Sequence, residues 1–259
     1  MGHEAIGIVE QVGPYVKSLN PGHRVIILPL IACGECFYSE RKEYSLCDQT
    51  SPSKAIKMMY GHRLSGIFGY SHLTGGYAGD QAEYCRVPYA DLACVEASHD
   101  IDAKELAALA DITPTAWHGC ELAEVGKGDV VGVWGCVVVG LSIQHLALFR
   151  GAKKVYTVDK DPQRLALAKK FGMIPVDANQ HSNVADYILS VEPMGLDGGI
   201  EAGGFRSTSS VVHSTIRALY LESDSGNTVS EVIKSTRKGG NVALIGDFFF
   251  NTNQFILGC

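Results

Sequence analysis

Apolar and polar positions give the chain two textures. From Gly7 to Leu28, short apolar runs are broken by turn signals at Gly13-Pro14 and Asn20-Pro21-Gly22, which predicts short antiparallel strands. From Pro29 to about Gly79 no period is sustained and Gly, Ser, Tyr and Cys recur; a loop of that length needs a staple or a function. Leu106, Leu109 and Ala110 then share one helical face, so a helix is expected over Asp102 to Asp111.

From Asp129 onward, strand and helix signals alternate. Strands are predicted at Val130 to Trp134, Lys154 to Val158, Ile174 to Val176, Gly199 to Ala202 and Asn241 to Ile245. Helices are predicted up to Arg150, over Pro162 to Phe171 and around Val229 to Ser235. Gly151 and Gly172 stop the first two, and Pro162 behind Asp161 starts the second. Such alternation implies a parallel, doubly wound sheet. The organisation expected is therefore a β-rich domain over residues 1–112 and an α/β domain over 113–259. The stretch from Val130 to Phe149 carries no charge and is long enough to span a bilayer. Gly132, Gly135 and Gly140, followed by Ser142, Gln144 and His145, instead make it a buried strand, a turn and a helix.

Composition narrows the partners. A net charge of -6, with no block of Lys and Arg, gives no footprint for nucleic acid or an anionic membrane, so small soluble molecules are expected. The 259 residues are 46% hydrophobic, ample for a buried core. Eight cysteines are too sparse for a disulfide scaffold of this length, and the first ten residues lack a cationic segment followed by an apolar run. The expected location is a reducing cytoplasm, with the cysteines as thiols or metal ligands.

Two local patterns carry chemistry. Gly135 and Gly140 stand where the first and third glycines of a G-x-G-x-x-G turn belong, between a strand and a helix, and Asp159 closes the next strand. An acid at that distance binds the adenosine ribose and repels a 2'-phosphate, which argues for NAD, with Arg164 near the adenosine. The middle glycine is Val137, where a positive φ would cost a β-branched residue about 1–3 kcal/mol. Cys33 and Cys36 have C-x-x-C spacing and Cys47 follows in the same loop, a zinc pattern whose continuation is interrupted by Ser39. A loop of free thiols is the alternative, as is a tight turn that binds nothing. His3-Glu4 taken alone reads as an exposed polar pair.

Taken together, Gly2-His3-Glu4, Cys33-Gly34-Glu35-Cys36, the run from Tyr70 through Gly79 and the turn from Trp134 through Gly140 resemble the zinc-dependent alcohol dehydrogenases of the medium-chain family, closest to the formaldehyde dehydrogenase-like branch. The resemblance implies a partial GroES-like catalytic domain followed by a Rossmann sheet lacking its last strand. It implies Zn²⁺ and NAD as cofactors and hydride transfer between a small alcohol and its aldehyde, with formaldehyde or its glutathione adduct among the candidates. His3 and Asp111 become catalytic zinc ligands, with Glu4 beside them as support or occasional ligand. Thr115 becomes the hydroxyl beside the nicotinamide, and Gly135, Val137, Val139, Gly140, Asp159 and Arg164 the cofactor contacts. The family's upstream Cys ligand would precede Met1, and the chain ends after Asn251 to Cys259 without the strand that forms the usual edge of family dimers and tetramers. Two expectations follow: a zinc- and NAD-dependent oxidoreductase, or a catalytically inactive truncated relative acting as a nucleotide- or zinc-binding module.

Overall fold

The computed structural model describes residues 1–204 and 226–248, and the chain forms two compact units, Met1–Asp111 and Ile112–Cys259. The expectation about a missing last strand falls on residues 251–259 and lies outside the described residues.

In the first unit, β1 (Ala5–Ile8) and β2 (Arg24–Ile27) pair antiparallel with Ala5 opposite Ile27. The turn signals between them lie where the sequence put them. Strand β2 is central because all of Val25, Ile26 and Ile27 are buried. Alternation sends Val25 and Ile27 into a cluster with Leu19, Ile31 and Phe68, and Ile26 into one with Ala97, Leu106 and Ala110. The segment from 29 to 79, expected to be irregular, contains short elements. These are β3 (Leu30–Ile31) paired with β4 (Gly66–Ile67), α1 (Phe37–Glu40) and α2 (Lys54–Tyr60). They are stapled by polar contacts: the Thr50 hydroxyl donates to the Ile31 carbonyl at 2.6 Å and the Tyr77 hydroxyl to the Thr50 carbonyl at 2.8 Å. Helix α3 (Ala90–Ala93) leads into β5 (Cys94–Glu96), the third strand of the β1–β2 sheet. Helix α4 runs only from Ala103 to Ala107, capped by Asp102, and the chain then turns through Asp111. The helix is thus shorter than expected, because the Leu109 and Ala110 N–H groups bond back to the Leu106 and Ala107 carbonyls in tighter turns.

The second unit opens with α5 (Ile112–Leu122) and continues β6 (Val130–Trp134), α6 (Val138–Phe149), β7 (Lys154–Asp159), α7 (Pro162–Lys170), β8 (Ile174–Asp177), α8 (Val184–Val191), β9 (Leu196–Glu201), α9 (Asn227–Ser235) and β10 (Thr236–Leu244). All five strands are parallel in the order β10-β9-β6-β7-β8. Numbered within the unit this is 3-2-1-4-5 read from the other edge, the doubly wound order whose switch point falls between β6 and β9. Val131 and Val133 pack on one face with Ala116 of α5 and Ile143 of α6, while Trp134 packs on the other with Ile188 of α8 and Val232 of α9. The uncharged stretch from Val130 to Phe149 is strand, turn and helix. Among the described residues no helix is long and apolar enough to cross a membrane.

Candidate metal centres and nucleotide turn

In the first unit, His3 and Asp111 lie 108 residues apart in sequence yet meet side chain to side chain. The His3 Nε2 to Asp111 Oδ2 distance is 3.1 Å, and one donor atom from each of His3, Glu4 and Asp111 falls within 4.8 Å of the others. The position of His3 depends on backbone crowding behind it. Gly2 has φ +100°, and a Cβ there would sit 2.4 Å from Asp80 Oδ1, so only glycine lets the chain pass Asp80 and Gln81. The Asp80 and Gln81 N–H groups donate to the Gly2 and Met1 carbonyls at 3.2 and 3.1 Å, which fixes the strand-like entry to His3. The Tyr70 ring meets the imidazole edge-on at 6.3 Å. An open cleft of about 410 Å³ runs past these groups, lined by His3, Glu4, Tyr70, Asp80 and Gln81. Two of its residues had no assigned role: Tyr70 opens the run from Tyr70 through Gly79 and Gln81 follows that run, and no periodicity marks either.

The second cluster in this unit is Cys33, Cys36 and Cys47, whose sulfurs lie within 4.8 Å of one another. Cys36 is the residue before α1, and Ser39 on that helix turns its hydroxyl back to 3.3 Å from Cys36 Sγ and 3.7 Å from Cys33 Sγ. Contact with Ser39, working against burial, lowers the Cys36 thiol to about 6, near neutrality. Burial pushes Cys33 up. Burial also opposes ionisation of Cys47, but the Gln49 backbone N–H and the Thr50 side chain bring it below its ordinary value. Elsewhere, burial lifts Cys94, Cys120 and Cys136 to about 11, which leaves those thiols protonated and inert.

In the second unit the turn after β6 contains Gly135 at φ +101° and Val137 at φ -86°, ψ -172°. Extended backbone accepts valine freely, so the strain conditional on a positive φ is absent at position 137, and the side chain is half-exposed above the turn. Val137 makes no side-chain cap, and the twelve-residue α6 starts at Val138 with its first N–H groups directed into the space beyond the turn. The third glycine is sterically required: a Cβ at Gly140 would lie 2.1 Å from the Gly135 carbonyl oxygen. Val139 turns its side chain into the core, so only its backbone belongs to the turn. Gln144, fully buried on an otherwise apolar helix, donates to the Gly135 carbonyl at 3.3 Å. It was not singled out for a role; a lone amide one turn after Gly140 was the available signal.

Asp159 ends β7 with its side chain 10% exposed and its carboxylate engaged. One oxygen accepts from the Cys136 N–H at 2.8 Å, and the other from the Lys160 and Asp161 N–H groups at 2.7 and 2.9 Å. Arg164 stands 3.7 Å from the same carboxylate. Thr115 lies in α5, partly buried.

The alcohol dehydrogenase GroES-like domain matches residues 1–97. Over its whole length the chain is 41% identical to a zinc-type alcohol dehydrogenase-like protein of Schizosaccharomyces pombe, of which it covers 61%. It is 37% identical to the zinc-type alcohol dehydrogenase-like protein AdhB of Bacillus subtilis, covering 67% of that protein. A glutathione-independent formaldehyde dehydrogenase of Pseudomonas aeruginosa is 33% identical over 80% of this chain and 51% of the relative. Among solved structures, an alcohol dehydrogenase from Thermus sp. ATN1 superposes on the whole chain and 64% of its own, with a TM-score of 0.80 and 29% identity. The chain thus spans about three fifths of the first of these relatives.

Proposed function

The chain belongs to the zinc-type alcohol dehydrogenases of the medium-chain family, and from that premise we propose that it serves as a zinc- and NAD-dependent oxidoreductase interconverting a small alcohol and its aldehyde. The observation that carries the reading is the convergence of His3, Glu4 and Asp111 in the first unit. One imidazole and two carboxylates form a donor set that suits Zn²⁺ and leaves room for a further ligand. The turn of the second unit fits a dinucleotide on similar grounds: a glycine that admits no Cβ, an uncapped helix N-terminus and an acid at the end of the next strand. When bound, zinc held by His3, Glu4 and Asp111 would supply Lewis acidity toward an alcohol or aldehyde oxygen, and NAD held at the turn from Gly135 to Gly140 would supply the hydride acceptor.

The chain's own groups then have distinct tasks. His3 Nε2 and Asp111 Oδ2, 3.1 Å apart, would face the ion as two of its ligands, and Glu4 adds negative charge that favours a cation. The first N–H groups of α6 meet the pyrophosphate charge. Asp159 accepts from ribose hydroxyls and disfavours a 2'-phosphate, so NAD is preferred to NADP. Arg164 flanks the adenosine side, and Thr115 supplies the hydroxyl on the nicotinamide side. The described cysteines are unpaired thiols, in keeping with a cytoplasmic location.

The test is metal analysis of the purified chain together with NADH titration followed by tryptophan fluorescence. His3→Ala and Asp111→Ala should each lose about one equivalent of zinc while NADH affinity stays unchanged. A folded protein that holds no zinc dependent on His3 and does not bind NADH would overturn the reading.

A further inference from the structure

The spacing Cys33, Cys36, Cys47 leaves three sulfurs where a closed structural zinc site takes four donors. The structure places a fourth donor among them. Ser39 is 3% exposed, sits on the first turn of α1, and its Oγ points at the sulfurs rather than at solvent. The chain is bent to achieve this. Lys42, a non-glycine residue, adopts φ 65° directly after α1, and the Lys42 and Glu43 N–H groups bond back to Ser39 and Tyr38, which returns the chain toward Cys47.

The Cys36–Cys47 distance and the two Ser39–sulfur distances lie within about 0.3 Å of the edges of a coordination polyhedron. With zinc–sulfur bonds of about 2.3 Å, tetrahedral geometry sets the sulfur–sulfur edge near 3.8 Å, and with a zinc–oxygen bond near 2.1 Å the sulfur–oxygen edge is about 3.6 Å. The Cys36–Cys47 edge is 3.9 Å, and the Ser39 edges to Cys36 and Cys33 are 3.3 and 3.7 Å. We propose that Ser39 Oγ is the fourth ligand of a tetrahedral three-sulfur, one-oxygen metal site in this loop, which takes Zn²⁺ and releases it more readily than a four-thiolate site would. Three thiols lose their protons when the ion binds, whereas the hydroxyl coordinates as a neutral group. The loaded site therefore carries one negative charge fewer than a four-thiolate site. Oxygen is also the harder donor, so the ion is held less tightly than by a fourth sulfur.

The proposal concerns the thiol loop alone and stands apart from the His3 centre. The test uses the full-length protein with His3→Ala as background, so that only the loop binds metal, and replaces zinc by Co²⁺ under reducing conditions. Wild-type position 39 should give a tetrahedral cobalt spectrum with the charge-transfer intensity of three thiolates, unchanged by added imidazole. Ser39→Cys should raise that intensity by about one third, move the d–d bands to longer wavelength and slow loss of zinc to a chelator at least about tenfold. Ser39→Ala should leave three thiolates with a vertex open to imidazole, seen as a spectral change on its addition. Circular dichroism confirms that each variant is folded. Unaltered charge-transfer intensity in Ser39→Cys, imidazole sensitivity already present with Ser39 in place, or no cobalt binding by the folded loop would each refute the assignment.

Discussion

Replacing Gly140 by alanine tests whether the nucleotide turn is held by backbone contact. The added Cβ would lie 2.1 Å from the Gly135 oxygen and 2.8 Å from its carbonyl carbon. An ordinary carbon–oxygen approach is about 3.3 Å, so the two must separate by roughly 1.2 Å. Both atoms that must yield are main chain, and Gly135 is itself tied down by the Gln144 amide and by its own N–H donating to the Val158 carbonyl at 2.8 Å. Alanine gains about 1 kcal/mol over glycine in a helix, yet overpacking against an immobile backbone costs about 2–3 kcal/mol, for a net loss of roughly 1–2 kcal/mol. The assay is built into the chain. Both tryptophans, Trp117 and Trp134, belong to the second unit, so their fluorescence follows that unit's unfolding. A fall in midpoint of roughly 2–8 °C is expected. Because the start of α6 moves away from Gly135, NADH should bind about tenfold more weakly, or about 1.4 kcal/mol. A variant whose midpoint stays within about 1 °C and whose NADH affinity stays within about twofold would refute the steric account of this turn.

Val137→Gly should leave the midpoint nearly unchanged, since the residue is half-exposed in extended backbone, and should tighten NADH binding about 3–10-fold by letting main chain approach the pyrophosphate; fluorescence titration measures it. Asp159→Ala should erase the preference for NADH over NADPH and cost about 1–3 kcal/mol, because the Cys136, Lys160 and Asp161 N–H groups lose their acceptor; an unaltered ratio of the two dissociation constants would count against the ribose role. Hydrogen bonds from Lys154 and Tyr156 hold the Glu192 carboxyl below its usual range. A depressed folded pKa adds stability that is complete above the unfolded value and is lost as pH falls through the folded one. Glu192→Gln should therefore cost about 1–2 kcal/mol near pH 7, and urea unfolding should show the gap to wild type closing at acid pH.

The sheet of the second unit was legible because its signals are local. Apolar runs end at glycines, and Asp161-Pro162 starts α7 with Asp161 accepting from the Gln163 and Arg164 N–H groups. Elsewhere elements were missed or started late. Helix α5 was not predicted; Pro114 falls in its first turn, where its missing N–H has no partner to lose. The strand expected at Asn241 to Ile245 starts earlier: β10 runs from Thr236 to Leu244 and takes in Arg237 through Gly240 in a register shift between Thr236 and Asn241. Helix α8 was passed over although Asn183 caps it and Val184 and Ile188 share its buried face.

The two candidate metal clusters divide along the same line. Cys33, Cys36, Ser39 and Cys47 lie on one loop, so spacing alone gathers them. What spacing could not give is the direction of the Ser39 hydroxyl, which depends on the bend at Lys42 and made a donor look like a gap. His3 and Asp111 meet across 108 residues, and nothing near either one records the other. Their pairing follows from how β1, carrying Ala5 just after His3, lies antiparallel to β2, and from Ile26 of β2 packing with Ala110 beside Asp111. The aspartate is thus delivered by an apolar neighbour one residue away. Enlarging Ala110, which is 1% exposed, should therefore disturb the metal centre without touching a ligand, whereas the thiol loop, closed on itself, should not respond.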